Sequence, residues 1–189
     1  MLISKFNTEN MEERVREFEA KYSFVFPEQY RSFLLKYNGG KTPNTEFRIN
    51  KVSADVEGFY GLGNATQYHN YSSFESMDGL EDWLKDSVLP IAENSFGDYI
   101  MIGIGNTNNG KVYFYYHDRQ KKYIELSENF KMFISKCKSE KIGRIRSIEE
   151  RYASMISKGR KEFIDKDLIK IWQDEIDEYA GIHQEELVI

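Results

Sequence analysis

Few residues of this 189-residue chain have the types and spacing that catalysis requires. The nearest approach to an acid–base pair is His117-Asp118. Adjacent residues of a strand point to opposite faces of the sheet, so we interpret Asp118 as a turn residue beside a half-exposed histidine. Cys137, the only cysteine, lies on the apolar stripe of a predicted helix, where a buried thiol packs and does not react. We therefore predict no catalytic residue.

Metal and cofactor motifs are also missing from the sequence. The three histidines, His69, His117 and His183, lie too far apart along the chain to match the ligand spacing of a zinc site. The segment Gly103-Ile104-Gly105 lacks the third glycine of a dinucleotide fingerprint and lies between predicted strands, not before a helix. We predict neither a metal nor a cofactor.

An acidic stretch between residues 75 and 98 bears most directly on binding. Its carboxylates are opposed by Lys85 alone and are Glu75, Asp78, Glu81, Asp82, Asp86, Glu93 and Asp98. One interpretation is a solvated loop and helix face. The other is a docking surface for a basic protein, with aromatic side chains as anchors. On the second interpretation, the candidate partner-binding residues are Glu75, Asp78, Glu81, Asp82, Trp83 and Asp86.

Composition narrows the class of protein. Hydrophobic residues make up 40% of the chain and aromatic residues 15%, which is too apolar for a disordered protein. A net charge of −5 argues against a direct nucleic-acid binder, because neutralising phosphates requires a surplus of lysine and arginine. The sequence contains neither a signal peptide nor an apolar run long enough to cross a membrane, and the single cysteine suits a reducing compartment. We expect a cytoplasmic protein without membrane contact.

The first half of the chain predicts two helices followed by strands. Apolar residues recur at helical spacing from Asn10 to Tyr22, with Asn10 as the N-cap. Pro27 suits the start of a second helix, which Asn38-Gly39-Gly40 ends. Alternating residues predict strands at Thr45–Asn50 and at Val56–Leu62.

The second half predicts a short helix, an antiparallel meander and a closing helix. The short helix begins near Met77. The three strands cover Tyr99–Ile104, Lys111–His117 and Tyr123–Leu126. A helix then follows, capped by Ser127.

The character of the chain changes after Cys137. Residues 138–161 are mainly basic, and residues 162–189 are mainly acidic. Apolar spacing predicts two helices in this segment, separated at Ser157-Lys158-Gly159. They either pack on the preceding domain or associate with another chain, as in a homodimer.

The order of these motifs resembles one family, the SUKH superfamily. Its members include the Smi/Knr cell-wall assembly regulators of yeast and many bacterial immunity proteins. The resemblance covers residues 5–137. It rests on the run from Phe18 to Gly40, on Leu89-Pro90-Ile91-Ala92, Phe96-Gly97-Asp98-Tyr99-Ile100, Gly110-Lys111-Val112-Tyr113-Phe114 and His117-Asp118, and on the closing Asn129-Phe130-Lys131-Met132-Phe133-Ile134.

The resemblance implies an α+β fold, in which a twisted antiparallel sheet is packed against helices. We expect a SUKH-like domain at residues 1–137 and a C-terminal helical extension at residues 138–189. The residues that match the family motif have mainly structural explanations. They are Pro27, Tyr30, Phe33, Gly39, Gly40, Pro90, Gly97, Asp98 and Asp118.

The resemblance also implies a binding role. Bacterial members are mostly immunity proteins that bind and inactivate a cognate toxin, including toxins of contact-dependent inhibition systems. A toxin with a nuclease domain would present the basic groove that an acidic surface fits. The alternative is a regulatory scaffold in cell-wall or stress signalling, like the fungal relatives. An enzyme is the third and weakest hypothesis, since no catalytic pair is visible.

Overall fold

One antiparallel sheet organises the larger of two units in the chain. The structure, a computed structural model, describes residues 1–63, 73–74, 77, 79–119, 123–180 and 182–189. The first unit comprises Met1–Lys141 together with Gln184–Ile189, and the second comprises Ile142–His183. The first unit therefore contains both the predicted domain and a segment that follows the C-terminal helices.

The sheet of the first unit contains nine strands within the described residues. Their order is β7-β6-β5-β4-β3-β2-β1-β9, and β8 pairs with β2. All their pairings are antiparallel. The strands are β1 (Leu2–Lys5), β2 (Gly40–Ile49), β3 (Val52–Phe59), β4 (Val88–Glu93), β5 (Tyr99–Gly103), β6 (Val112–Tyr115), β7 (Tyr123–Ser127), β8 (Cys137–Ser139) and β9 (Glu185–Glu186). With the helices described next, this sheet confirms the α+β class.

Within the part of the chain that the structure describes, the first unit contains four α-helices and the second contains two. In the first unit they are α1 (Met11–Tyr22), α2 (Glu28–Tyr37), α3 (Leu80–Lys85) and α4 (Phe130–Lys136). In the second they are α5 (Ile148–Ser157) and α6 (Lys166–Tyr179), with a short 3-10 turn at Lys161–Phe163. The helix pair predicted after Cys137 is thus present, and Gly159 follows its first helix with a positive φ of 67°.

Aromatic rings join α2 and α4 to the sheet. The Tyr30 and Phe33 rings of α2 lie 5.0 Å and 5.2 Å from the Phe130 ring of α4, measured between centroids. Phe33 also meets Phe59 of β3 at 5.3 Å. All four side chains are almost fully buried. Burying apolar area of this kind is the main stabilising contribution to such a domain, and it accounts for Tyr30 and Phe33 structurally.

The segment Asn38-Gly39-Gly40 turns the chain from α2 into β2. Asn38 and Gly39 both have positive φ values, 52° and 77°. A Cβ atom on Gly39 would lie 2.5 Å from the carbonyl oxygen of Phe59, so a side chain cannot fit there. This position therefore requires glycine for two reasons, backbone conformation and close approach.

Strand β4 is absent from the expectations drawn from the sequence. Its apolar run includes Pro90, which cannot donate a ladder hydrogen bond and therefore argues against a central strand. The structure accommodates it because the β4–β5 register shifts between Pro90 and Ala92, where the ladder is already interrupted. Val88–Glu93 consequently lies between β3 and β5, inside the sheet.

Several predicted boundaries were wrong. Strand β3 covers Val52–Phe59 in place of Val56–Leu62, because it forms a hairpin with β2 across a tight turn at Asn50. Asn129, not Ser127, is the N-cap of α4 and accepts a hydrogen bond from the backbone N–H of Met132 at 2.9 Å. Cys137 follows α4 and begins β8, although it is buried as expected.

Candidate partner-binding surface

The acidic residues proposed as a docking face lie on and beside α3. Glu81 and Asp82 occupy the first turn of this helix and are exposed. Asp82 forms an ion pair with Lys85 at 2.8 Å. Asp86 is the residue at which α3 ends. Glu75 and Asp78, the other two predicted acids, lie outside the described residues.

Trp83 connects α3 to the outward face of the sheet. Its ring lies 4.9 Å from the Tyr115 ring and 6.0 Å from the Tyr99 ring, edge-on in both cases. Val88 and Met101 are buried although they lie outside the main core cluster, and α3 packs against β4 in this region. The helix therefore covers part of the face that points away from the core.

Tyrosines continue this face across three strands. Tyr99, Tyr115 and Tyr123 are register partners on β5, β6 and β7. Tyr123 also meets Tyr113 at 6.2 Å. Residues that alternate with these tyrosines, such as Ile100 and Phe114, belong to the core. We define the aromatic platform as Trp83, Tyr99, Tyr113, Tyr115 and Tyr123, each of which is half-buried.

Carboxylates lie beside the phenol groups of the platform. Tyr123 donates a hydrogen bond of 3.5 Å to Asp86, and burial together with this carboxylate raises the pKa of Tyr123 to about 12. Burial and then Glu93 raise the pKa of Tyr99, and burial and then Glu125 raise the pKa of Tyr113. These phenols therefore stay protonated in neutral solution and can donate hydrogen bonds.

The described surroundings of the platform are negatively charged. Two lysines are present, Lys85 and Lys111, and each already pairs with a carboxylate, Lys111 with Glu125 at 3.0 Å. The carboxylates that lie beside the platform or on α3 are Glu81, Asp82, Asp86, Glu93 and Glu125. The described part of this surface thus combines amphipathic aromatic rings with an acidic rim, an arrangement that can bind a basic protein.

Asp98 and His117 form the polar pair that sequence spacing did not indicate. The Asp98 side chain is only 10% exposed, and its Oδ1 lies 2.9 Å from His117 Nδ1. The same oxygen accepts a bond of 3.1 Å from the backbone N–H of His117. Asp98 therefore joins the start of β5 to the residues after β6. Within its own turn, the Oδ2 of Asp98 accepts a bond of 3.3 Å from the Nδ2 of Asn94.

Asp118 completes a group of three possible ligands around this pair. One ligand atom each from Asp98, His117 and Asp118 lie within 4.8 Å of one another. Asp118 itself is exposed and lies 3.9 Å from the Arg119 guanidinium. The hydrogen bonds described above already account for the position of Asp98, and His117 and Asp118 do not form a pair of their own.

Cys137 lacks the surroundings of a reactive thiol. It is buried, and burial raises its pKa to about 12. Its Sγ lies 3.5 Å from the carbonyl oxygen of Phe133. The thiol is therefore protonated at neutral pH and shielded from reagents in solution.

The remaining motif residues support the fold. Pro27 precedes α2, and its carbonyl accepts the N–H of Arg31 at 2.8 Å. Gly40 begins β2, and Gly97 has a positive φ of 79° in the turn before β5.

The platform tyrosines were not selected from the sequence, although the predicted meander contains the pattern that indicates them. If the isoleucines of β5 face the core, the alternating tyrosines of the same meander must face outward.

Comparison with known proteins gives the family. A sequence model of the SMI1 / KNR4 family (SUKH-1) matches residues 11–136. The chain is also 27% identical over 156 residues to the SPbeta prophage-derived uncharacterized protein YokK of Bacillus subtilis, a match covering 70% of this chain and 77% of YokK. It is 26% identical over 124 residues to the uncharacterized protein YobM of the same organism, covering 65% of this chain and 62% of YobM.

Two further observations concern the helices. Among the described residues, no helix combines the length and the apolar character needed to cross a lipid bilayer. The family match begins at α1 and ends at the last residue of α4, so it spans helices α1 to α4 and strands β2 to β7. The chain belongs to the SMI1 / KNR4 (SUKH-1) family.

Proposed function

We propose that this protein is an immunity protein that binds and neutralises a cognate protein toxin. It acts as a non-enzymatic cytoplasmic binding module and needs no cofactor. The observation that carries the proposal is the aromatic platform with its acidic rim on the outward face of β5, β6 and β7. Family membership supports a binding role, and the platform supplies a surface that suits one.

The platform has the composition of a binding hot spot. Tyrosine and tryptophan contribute large contact areas with few rotatable bonds, so little side-chain entropy is lost on association. Trp83 and Tyr115 already pack on each other, which fixes both rings before a partner arrives. The phenol groups of Tyr99 and Tyr113 stay protonated in neutral solution and can donate hydrogen bonds to a partner, whereas Tyr123 already donates to Asp86.

The acidic rim indicates a basic partner. Exposed carboxylates on α3 attract a positively charged surface over distances of about a Debye length and raise the association rate. A nuclease toxin has such a surface where it binds the phosphates of its substrate. The proposed mechanism is therefore occlusion of a basic substrate groove by a surface that resembles a polyanion.

The first experiment identifies the partner and tests the function together. The tagged protein is used to recover partners from the lysate of its native cell, and bound proteins are identified after a salt wash. We expect one stoichiometric partner with a C-terminal toxin domain, and co-expression of the two should restore growth that the toxin domain alone arrests. A set of cell-envelope factors without a toxin would overturn the proposal and favour the regulatory scaffold.

A charge-reversal pair then locates the surface. Glu81→Lys with Asp82→Lys should lower affinity for that toxin domain by about tenfold or more and flatten its salt dependence, since the rim attracts the partner electrostatically. The matched control is Glu13→Lys with Glu17→Lys, two exposed residues of α1. Unchanged affinity in the α3 variant, or an equal loss in both, would show that the acidic rim is not the docking surface.

A further inference from the structure

The turn between β4 and β5 exposes a large aromatic side chain. Phe96 is 76% exposed, more than any other large apolar residue in the described part of the chain. It lies between Glu93, the last residue of β4, and Tyr99, the first residue of β5. Single exposed apolar side chains are common on protein surfaces, but Phe96 also lies in a turn that hydrogen bonds hold in place, beside the first residue of the platform strand β5.

The backbone on either side of Phe96 is held by a buried asparagine. The Oδ1 of Asn94 accepts the N–H of Phe96 at 3.1 Å and the N–H of Asp98 at 2.8 Å. The backbone N–H of Asn94 donates to the carbonyl of Asp98 at 3.0 Å, and Gly97 donates to the carbonyl of Asn94 at 3.1 Å. These bonds fix the turn at both ends.

Two neighbouring elements hold the same turn from outside. Asp55 of β3 accepts hydrogen bonds from both the backbone N–H and the hydroxyl of Ser95, at 3.0 Å and 3.1 Å. Asp98 accepts the N–H and faces the ring nitrogen of His117, just after β6. A flexible loop would lose conformational entropy on binding, whereas a turn fixed in this way loses little.

The turn lies at the end of the sheet where the platform lies. Tyr99 begins β5, Tyr115 ends β6 and Tyr123 begins β7. These three tyrosines therefore lie at the strand ends nearest the Phe96 turn. The surroundings continue the acidic character of the rim. The described carboxylates that hold or flank the turn are Asp55, Glu93, Asp98 and Asp118, and the described cation Arg119 lies 3.9 Å from Asp118.

We propose that Phe96 is the anchor residue of this protein, inserting into an apolar pocket on the basic surface of the toxin domain while the platform packs beside it. The proposal rests on the proposed function and names the residue that gives it specificity. Charge complementarity and continuity with the platform point to the same partner. Asp55 and Asn94 act as positioning residues, because they fix the turn without touching the partner.

The test uses the full-length chain and, as the probe, the toxin domain recovered from the lysate, prepared as an inactive variant. Phe96→Ala should lower affinity by roughly ten- to a hundredfold, as truncation of an anchor does. Phe96→Leu should recover part of the loss. The matched control is Val25→Ala, which truncates another strongly exposed apolar residue, 67% exposed, in the loop between α1 and α2. Urea denaturation should show both alanine variants as stable as the wild type.

Two further readouts separate the outcomes. Hydroxyl-radical footprinting should show Phe96 oxidised in the free protein and protected in the complex. Asp55→Ala should slow association while the Phe96 ring is still present, because the turn is no longer held in the bound conformation. If the wild type binds the toxin domain but Phe96→Ala binds within twofold of it, the anchor proposal is wrong and the proposed function stands. If the wild type does not bind, both fail.

Discussion

At the scale of single residues, Asn38 shows how one polar side chain can join three parts of the chain. Its Nδ2 donates to the carbonyl oxygens of Asn7 and Leu62 at 2.7 Å and 3.0 Å, and its Oδ1 accepts the N–H of Leu62 at 2.7 Å. The side chain is fully buried, so these bonds are not replaced by water when they are lost. Asn38 therefore links the segment before α1, the end of α2 and the segment after β3.

Two asparagines in the same backbone conformation allow this role to be measured. Asn10 is the N-cap of α1, as predicted, and also has a positive φ, 57°, but it is exposed and its side chain forms no cap bond. We expect Asn10→Ala to cost about 1 kcal/mol, the strain of alanine in a left-handed position. Asn38→Ala should cost about 3–5 kcal/mol, because it also leaves the partners of three side-chain bonds unsatisfied, two of which are buried. Urea denaturation of both variants tests this, and equal losses would contradict it.

The residues considered for catalysis or binding illustrate how much the sequence could predict. The buried, unreactive state of Cys137 was predicted from the helical spacing of the apolar residues around it, because such spacing indicates which side chains are buried. The pairing of Asp98 with His117 could not be predicted, since the two are brought together only by the register of β5 and β6. Tyr99, Tyr115 and Tyr123 likewise become one surface only when three strands are aligned.

At the scale of elements, two neighbouring residues are candidates for the N-cap of α4, and the structure decides between them. Asn129 has the extended backbone of an N-cap and accepts the Met132 N–H, whereas Ser127 belongs to β7 and donates its hydroxyl to the Asn129 carbonyl at 2.9 Å. The sequence pattern favoured Ser127, because both residue types are good caps and only the end of β7 decides between them. Boundaries of this kind depend on the neighbouring element more than on local preference.

The cap assignment predicts different effects for two alanine variants. Asn129→Ala should lower the free energy of unfolding by about 1 kcal/mol, the usual contribution of an N-cap side chain. Ser127→Ala should lower it by less than about 0.5 kcal/mol, since the α4 N–H groups do not depend on that hydroxyl. Chemical denaturation of the two variants measures the difference. A larger loss for Ser127→Ala would reassign the cap.

Within the sheet, strands with a clear local sequence pattern were predicted, and strands without one were not. Strands β5, β6 and β7 were predicted because each is flanked by turn residues and alternates in polarity. Strand β4 was not, since Pro90 argues against a strand unless a bulge is known. Strands β1, β8 and β9 have only four, three and two residues, and such short segments carry too few positions for a periodic signal.

At the scale of the whole molecule, the chain leaves the first unit and returns to it. Ser139 of β8 accepts the N–H of Leu2 at 2.9 Å, and Glu186 of β9 is the register partner of the same Leu2. The two points at which the second unit joins the first are therefore close together. Beyond them, Leu187 is buried in the core, and Val188 donates to the hydroxyl of Tyr37 at 3.0 Å.

This arrangement predicts that an internal deletion is tolerated better than a truncation. Joining Lys141 to Gln184 with a short glycine-serine linker should leave a cooperatively folding first unit, because every strand of the sheet is retained. Ending the chain after Lys141 should cost about 2–4 kcal/mol, from the lost burial of Leu187 and the lost Tyr37 bond. Urea denaturation compares the two. A folded truncation beside an unfolded deletion would contradict the prediction.

The same deletion examines the proposal that the C-terminal helices mediate self-association. The second unit exposes Ile156, Phe163 and Ile171, and Arg151 of α5 pairs with Glu175 of α6 at 2.6 Å. Sedimentation of the full-length chain and of the deletion variant shows whether any dimer depends on this unit. A dimer that survives the deletion would place the contact elsewhere.

The late position of β9 in the chain has a consequence during translation. The ribosome must synthesise the whole helical unit before β9 is available, so β1 waits with one edge unpaired while the rest of the sheet can already form. Unpaired edges are sites at which nascent chains associate wrongly. The interval between the formation of the other strands and the docking of β9 is therefore the period in which a new molecule is exposed to such errors.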